Sequence, residues 1–173
     1  MVVCATELSA QTKPALSYFD LQDVRLLSGP FKHAEDLDLN YLLELDADRL
    51  LAPFLREAGL PQKKESYTNW ENTGLDGHIG GHYISALAHM YAATDDVQIK
   101  KRLDYMLSTL KQCQEANGNG YIGGVPGGQV IWEEIRQGNI QAGGFNLNNK
   151  WVPLYNIHKT YAGLRDAYLL TGN

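Results

Sequence analysis

Between residues 30 and 170 apolar side chains recur at steps of three and four, the period of helices with one buried face, and Gly, Pro and Asn punctuate the runs. Ser28-Gly29-Pro30 sets up a first helix that is expected to run to about Leu51, with Glu35 and Asp36 in its first turn. Leu37, Leu39, Tyr41, Leu42, Leu43, Leu45 and Leu50 give it a wide stripe, and Pro53, Gly59 and Pro61 end the pattern. A polar loop over 62–74 leads to a second helix, 76–93, marked by Ile79, Tyr83, Leu87 and Met90 or Tyr91. The third, 95–116, is the cleanest: Ile99, Leu103, Met106, Leu110 and Cys113 alternate steps of four and three, which puts Cys113 on the core side. A short helix near 132–138 and a last one over 153–170, with Leu154, Ile157, Tyr161, Leu164 and Tyr168 on its face, complete the helices. Residues 17–27 read as a short extended arm, and no stretch reads as a run of strands, so the class is all-α.

The second and last helices end alike at an offset of 77 residues. Ser85-Ala86-Leu87 matches Ala162-Gly163-Leu164, Tyr91 matches Tyr168, and Thr94-Asp95-Asp96 matches Thr171-Gly172-Asn173. Such a repeat of helix plus polar turn indicates stacked helical hairpins, as in α/α toroids and solenoids, against the alternative of chance likeness between two amphipathic helices. An outer helix follows the first copy and none follows the second, which is the expectation for the N-terminal part of a larger protein.

Composition narrows the partners. With 44% hydrophobic and 20% charged residues in 173, the chain is globular rather than disordered. The net charge is -5, and no basic cluster exceeds Lys100-Lys101-Arg102, which argues against nucleic acid. No apolar run approaches the ~18 residues of a membrane span. Cys4 and Cys113 form neither a disulfide framework nor a metal motif, and Cys113 is expected to be a quiet core residue. Leu8-Ser9-Ala10 resembles the cleavage end of a secretory signal, which would make the protein secreted or periplasmic; an ordinary frayed terminus is the equal alternative. Residues 1–17 are therefore read as a signal remnant and flexible terminus, and 18–173 as the folded part.

The candidate chemistry lies at helix starts and loops. His78 and His82 stand one helical turn apart, with His89 two turns beyond His82, but the Glu of a zinc-protease pattern is missing and no third ligand is evident. Gly77, Gly80 and Gly81 strip side chains from the start of that helix, which costs ~1 kcal/mol each and implies a close neighbour. Trp70-Glu71, Trp132-Glu133-Glu134 and Trp151 put flat aromatic rings beside carboxylates, amides and imidazoles. A sugar offers an apolar C–H face to stack on and hydroxyls to bond, so this is the inventory of a carbohydrate site; tryptophans capping the core at helix ends are the alternative. The loop over 117–128 has six glycines, yet it lacks a nucleotide-loop pattern and follows a helix rather than a strand.

Four stretches carry a resemblance: Phe19 to Phe31, Asp48-Arg-Leu-Leu-Ala-Pro-Phe54, Gly74-Leu-Asp-Gly-His-Ile-Gly-Gly-His-Tyr83, and Val152-Pro-Leu-Tyr-Asn-Ile-His-Lys159 with Tyr161-Ala-Gly163. In order and content they resemble the N-terminal region of bacterial β-L-arabinofuranosidases of glycoside hydrolase families 127 and 146. The resemblance implies the N-terminal portion of an (α/α)6 barrel, incomplete in this chain, and a retaining glycosidase acting on arabinose-containing plant glycans. It also implies a zinc-bound cysteine nucleophile and an acid/base Glu. The counterparts of the nucleophile, the acid/base and the zinc ligands are expected downstream of this chain, so no catalytic residue and no metal ligand is assigned within it and the segment alone is expected to be inactive. What the resemblance carries over is a sugar-binding wall, assigned to Trp70, Glu71, Asp76, His78, His82, Trp151, Asn156 and His158. Two other readings stand beside it: an inverting α/α-barrel glycosidase that pairs Glu71 or Asp76 with Glu133 or Glu134, and a non-catalytic carbohydrate-binding helical module.

Overall fold

The computed structural model describes residues 16–172; the expectations that rest on Cys4, residues 8–10 and Asn173 lie outside them. The chain enters its first helix, α1 (Pro30–Glu44), with Pro30 in the first turn. Glu35 and Asp36 fall in the second turn, not the first, and both accept from the Lys32 ammonium, at 2.8 and 2.6 Å. The single helix expected to reach Leu51 is in fact two. Leu45 turns extended, and the Asp46 side chain accepts from the Asp48 N–H to start α2 (Ala47–Glu57). Pro53 lies inside α2 and does not end it. A proline there costs ~3 kcal/mol, and the near-complete burial of Leu50, Leu51, Phe54 and Leu55 around it offsets that cost. The helix stops instead at Gly59, whose φ of +68° suits glycine.

α3 (His78–Thr94) and α4 (Val97–Asn117) form a hairpin, with Asp96 capping α4 through the Gln98 and Ile99 N–H groups. The stripe expected on α4 is buried throughout, from Ile99 to Cys113. It packs with Leu51, Phe54, Ile84 and Leu87 into the core. The glycine-rich loop then folds under the α2–α3 junction, where a Cβ at Gly124 would lie 2.8 Å from Pro53 and 2.7 Å from the Asp76 carbonyl.

α5 (Gly128–Arg136) starts four residues earlier than expected. The loop over 141–149 is drawn into a small antiparallel meander of β1 (Ala142–Gly143), β2 (Asn146–Leu147) and β3 (Lys150–Trp151). Two-residue strands are too short to show alternation in a sequence. The chain closes with α6 (Pro153–Thr171).

The face of α6 is the main departure. Leu154, Tyr161 and Tyr168 are exposed, while Pro153, Asn156, Thr160, Gly163 and Ala167 are buried. The reason is a backbone-to-backbone approach of α6 to α3: a Cβ on Gly81 would overlap the Lys159 carbonyl, and one on Gly163 the Gly81 carbonyl. So close a seam accepts only small side chains. The two helices that resemble each other in sequence are thus the two that pack on each other. The described chain is all-α apart from the meander, in keeping with part of a helical barrel.

Candidate functional site

The site is built on the turn that opens α3. Residues Asn69–Asn72 form a 3-10 turn that sends Trp70 outward, 61% exposed, and Glu71 inward, 3% exposed. The N-cap of α3 is Gly77, which has no side chain to cap with. Glu71 does that work from a distance: its Oε2 accepts from the Gly77 N–H at 2.9 Å and its Oε1 from the Ile79 N–H at 3.1 Å. A carboxylate there also suits the positive end of the helix dipole.

The same turn is fastened from three more sides. Asp76 accepts from the Gly74 N–H at 2.9 Å and from Arg56 at 3.1 Å, and Arg56 also donates to the Gly124 carbonyl. Asn156 of α6 donates its amide to the carbonyls of Leu75 and Asp76, at 2.9 and 2.8 Å. His78 Nδ1 lies 2.9 Å from the Leu75 carbonyl and 2.7 Å from Glu71 Oε1.

Around His78 stand three rings: Trp70 with its centroid at 6.0 Å, and His82 and Tyr155 at 6.1 Å each. All three are exposed, whereas the His78 ring between them is buried. The Lys159 ammonium lies 4.8 Å from the Tyr155 ring centroid. Partial desolvation by the neighbouring protein, then the Lys159 charge, hold the His82 imidazole below its ordinary pKa. His158 is exposed and adds a smaller push in the same direction. Trp151, at the end of β3, has its Cβ 4.0 Å from where a Cβ on Gly74 would lie. Beyond Trp70 lies a cleft of about 760 Å³ lined by Tyr41, Tyr67, Thr68, Thr73 and Ile79.

The eight residues of the expected wall therefore fall into two layers. Trp70, His82, Trp151 and His158 are exposed at the front, and Glu71, Asp76, His78 and Asn156 are a buried frame behind them. Sequence reasoning missed Tyr155, Lys159 and Arg56. Tyr155 and Lys159 sit inside a quoted motif, whereas nothing near Arg56 in the sequence connects it to Asp76.

The other carboxylates are engaged elsewhere. Glu133 is gripped by Arg136 at 2.8 and 2.6 Å and by Gln137 at 2.7 Å, which hold it down to about 2. Glu134 accepts from Asn148 at 2.6 Å. Among the described residues no three His, Cys, Asp or Glu side chains are grouped to hold a metal ion. Cys113 is sealed in the core with its thiol pushed up to about 11 by burial. The zinc that the resemblance implies thus finds no fitting ligand set among the described residues. No described helix is long and apolar enough to cross a membrane.

The model of the β-L-arabinofuranosidase GH127 catalytic domain matches residues 23–173. The chain belongs to this family. A comparison with individually curated proteins finds no match. Membership in GH127 makes the chain part of a glycoside hydrolase family, with a carbohydrate as substrate.

Proposed function

We propose that this chain supplies part of the sugar-binding wall of a retaining β-L-arabinofuranosidase, secreted or periplasmic, that acts on arabinose-containing plant glycans. The zinc, the cysteine nucleophile and the acid/base Glu are assigned to residues other than those described. The observation that carries the reading is the cluster of rings around His78: exposed Trp70 and Tyr155 offer faces for the C–H side of a sugar, and exposed His82 and His158 offer ring nitrogens for its hydroxyls. The buried frame of Glu71, Asp76 and Asn156 holds this surface rigid, as binding in a fixed pose requires.

The inverting alternative fares worse on geometry. A general acid must keep its proton near neutral pH, and Glu133 at about 2 does not. Glu71 and Asp76 have their oxygens committed to backbone N–H groups, His78 and Arg56.

The test is a titration with methyl β-L-arabinofuranoside, read by NMR, alongside an assay with 4-nitrophenyl β-L-arabinofuranoside. The expected outcome is movement of the Trp70 and Trp151 indole and the His82 and His158 ring resonances, with no nitrophenol released by this chain alone. Absence of movement, or equal movement with a β-D-glucopyranoside, would overturn the wall. Hydrolysis would overturn the assignment of the catalytic centre to other residues.

A further inference from the structure

Nδ1 of His78 faces two oxygens, Glu71 Oε1 at 2.7 Å and the Leu75 carbonyl at 2.9 Å. The carbonyl has no proton to give, so Nδ1 is the donor and carries the hydrogen. In the neutral ring Nε2 is then bare. Glu71 is in turn unable to swing away, because both of its oxygens are tied to the backbone at Gly77 and Ile79 and its side chain is 5% exposed.

Nε2 has no hydrogen-bond partner among the described residues. The described side-chain atoms that are both sealed from solvent and unpartnered are Asn156 Oδ1 and Thr160 Oγ1, so Nε2 is not sealed off. The rings that stand around the imidazole are those of Trp70, His82 and Tyr155, all three exposed.

We propose that Glu71 is a positioning residue that locks His78 in its Nδ1–H tautomer, and so makes His78 Nε2 a hydrogen-bond acceptor for a hydroxyl of the bound sugar. The ligand half rests on the sugar-wall reading above; the tautomer lock does not. An acceptor at this depth favours a ligand that brings its own O–H and disfavours one that presents an ether or carboxylate oxygen, since two lone pairs would then meet with little water between them. Glu71 touches no sugar in this scheme and acts only through His78.

Histidine-selective 15N labelling with long-range 1H–15N correlation reads the tautomer of each ring without any ligand. Wild-type His78 should show Nδ1–H. In Glu71→Leu the ratio of Nδ1–H to Nε2–H should fall about tenfold, the scale of losing a carboxylate 2.7 Å from Nδ1 while the Leu75 carbonyl stays as its hydrogen-bond acceptor. Glu71→Gln keeps a neutral acceptor and should show a smaller fall, about threefold, which also serves if the Leu variant does not fold. Nε2–H in the wild type, or a ratio unchanged in a folded variant, overturns the lock. Methyl β-L-arabinofuranoside should then shift the His78 Nε2 resonance. If Nε2 stays still while Trp70 and His158 respond, the acceptor role is overturned and the sugar wall stands. If no ring responds, the wall falls and the lock is judged by the tautomer alone.

Discussion

Cys113, with its thiol pushed up to about 11, carries the thiolate in about one molecule in ten thousand at pH 7. Its alkylation by iodoacetamide, followed by mass spectrometry of the Cys113 peptide, should run at least a hundredfold slower than that of a free thiol; rates near the free thiol would contradict its place in the core. His82 offers a second residue-scale prediction. Its depressed pKa comes first from partial desolvation and then from Lys159, so Lys159→Ala should raise it toward 6.5 in an NMR titration. The unfolded chain takes up the proton near 6.5 and the folded one only at lower pH, so stability is lost as pH falls below 6.5 and is unaffected above about 7.5. Tm measured between pH 7 and pH 5 should fall less in His82→Gln. Of the residues at the site, the exposed ones were legible as a type, because Trp and His beside polar groups signal sugar chemistry. The role of Glu71 was not: its contacts at Gly77, His78 and Ile79 depend on a 3-10 turn that no periodicity announces.

At the scale of elements, α4 was fully legible because its packing rests on large apolar residues at helical spacing. α6 was legible as a helix and misread as to its face, for a physical reason: hydrophobic periodicity finds bulk, and the seam with α3 is made by the absence of bulk at Gly81 and Gly163. The break between α1 and α2 was hidden by a stripe that ran on through Leu45. The seam yields a sharp prediction. Alanine ordinarily favours a helix over glycine by ~1 kcal/mol, but Gly81→Ala or Gly163→Ala drives a methyl into backbone that has nowhere to go. Each should cost about 2 to 3 kcal/mol, or roughly 5 to 10 °C in Tm. Gly143→Ala in the meander meets nothing within 4 Å and should leave Tm within about 1 °C. Equal effects at Gly81 and Gly143 would refute the close approach.

At the scale of the molecule, the class was legible, and the two helices whose ends are alike in sequence pack on each other. The order of motifs pointed to the family that the match over 23–173 shows. The layering of the site was not legible, since it arises where α6 returns to the turn before α3. That return joins Asn156 to Leu75 across 81 positions of chain. Contacts so distant along the chain close a large loop and tend to form late in folding, whereas the α3–α4 hairpin closes a short one. Stopped-flow kinetics should therefore separate two variants. Leu103→Ala, in the hairpin core, should slow folding, and Asn156→Ala should leave the folding rate nearly unchanged and speed unfolding. The reverse pattern would show that the α3–α6 pairing nucleates the fold. Amides at Gly77 to Ile79 should likewise exchange with deuterium sooner than those in the middle of α4. The surface proposed to meet the sugar is, on this view, the last part of the molecule to assemble and the first to come undone.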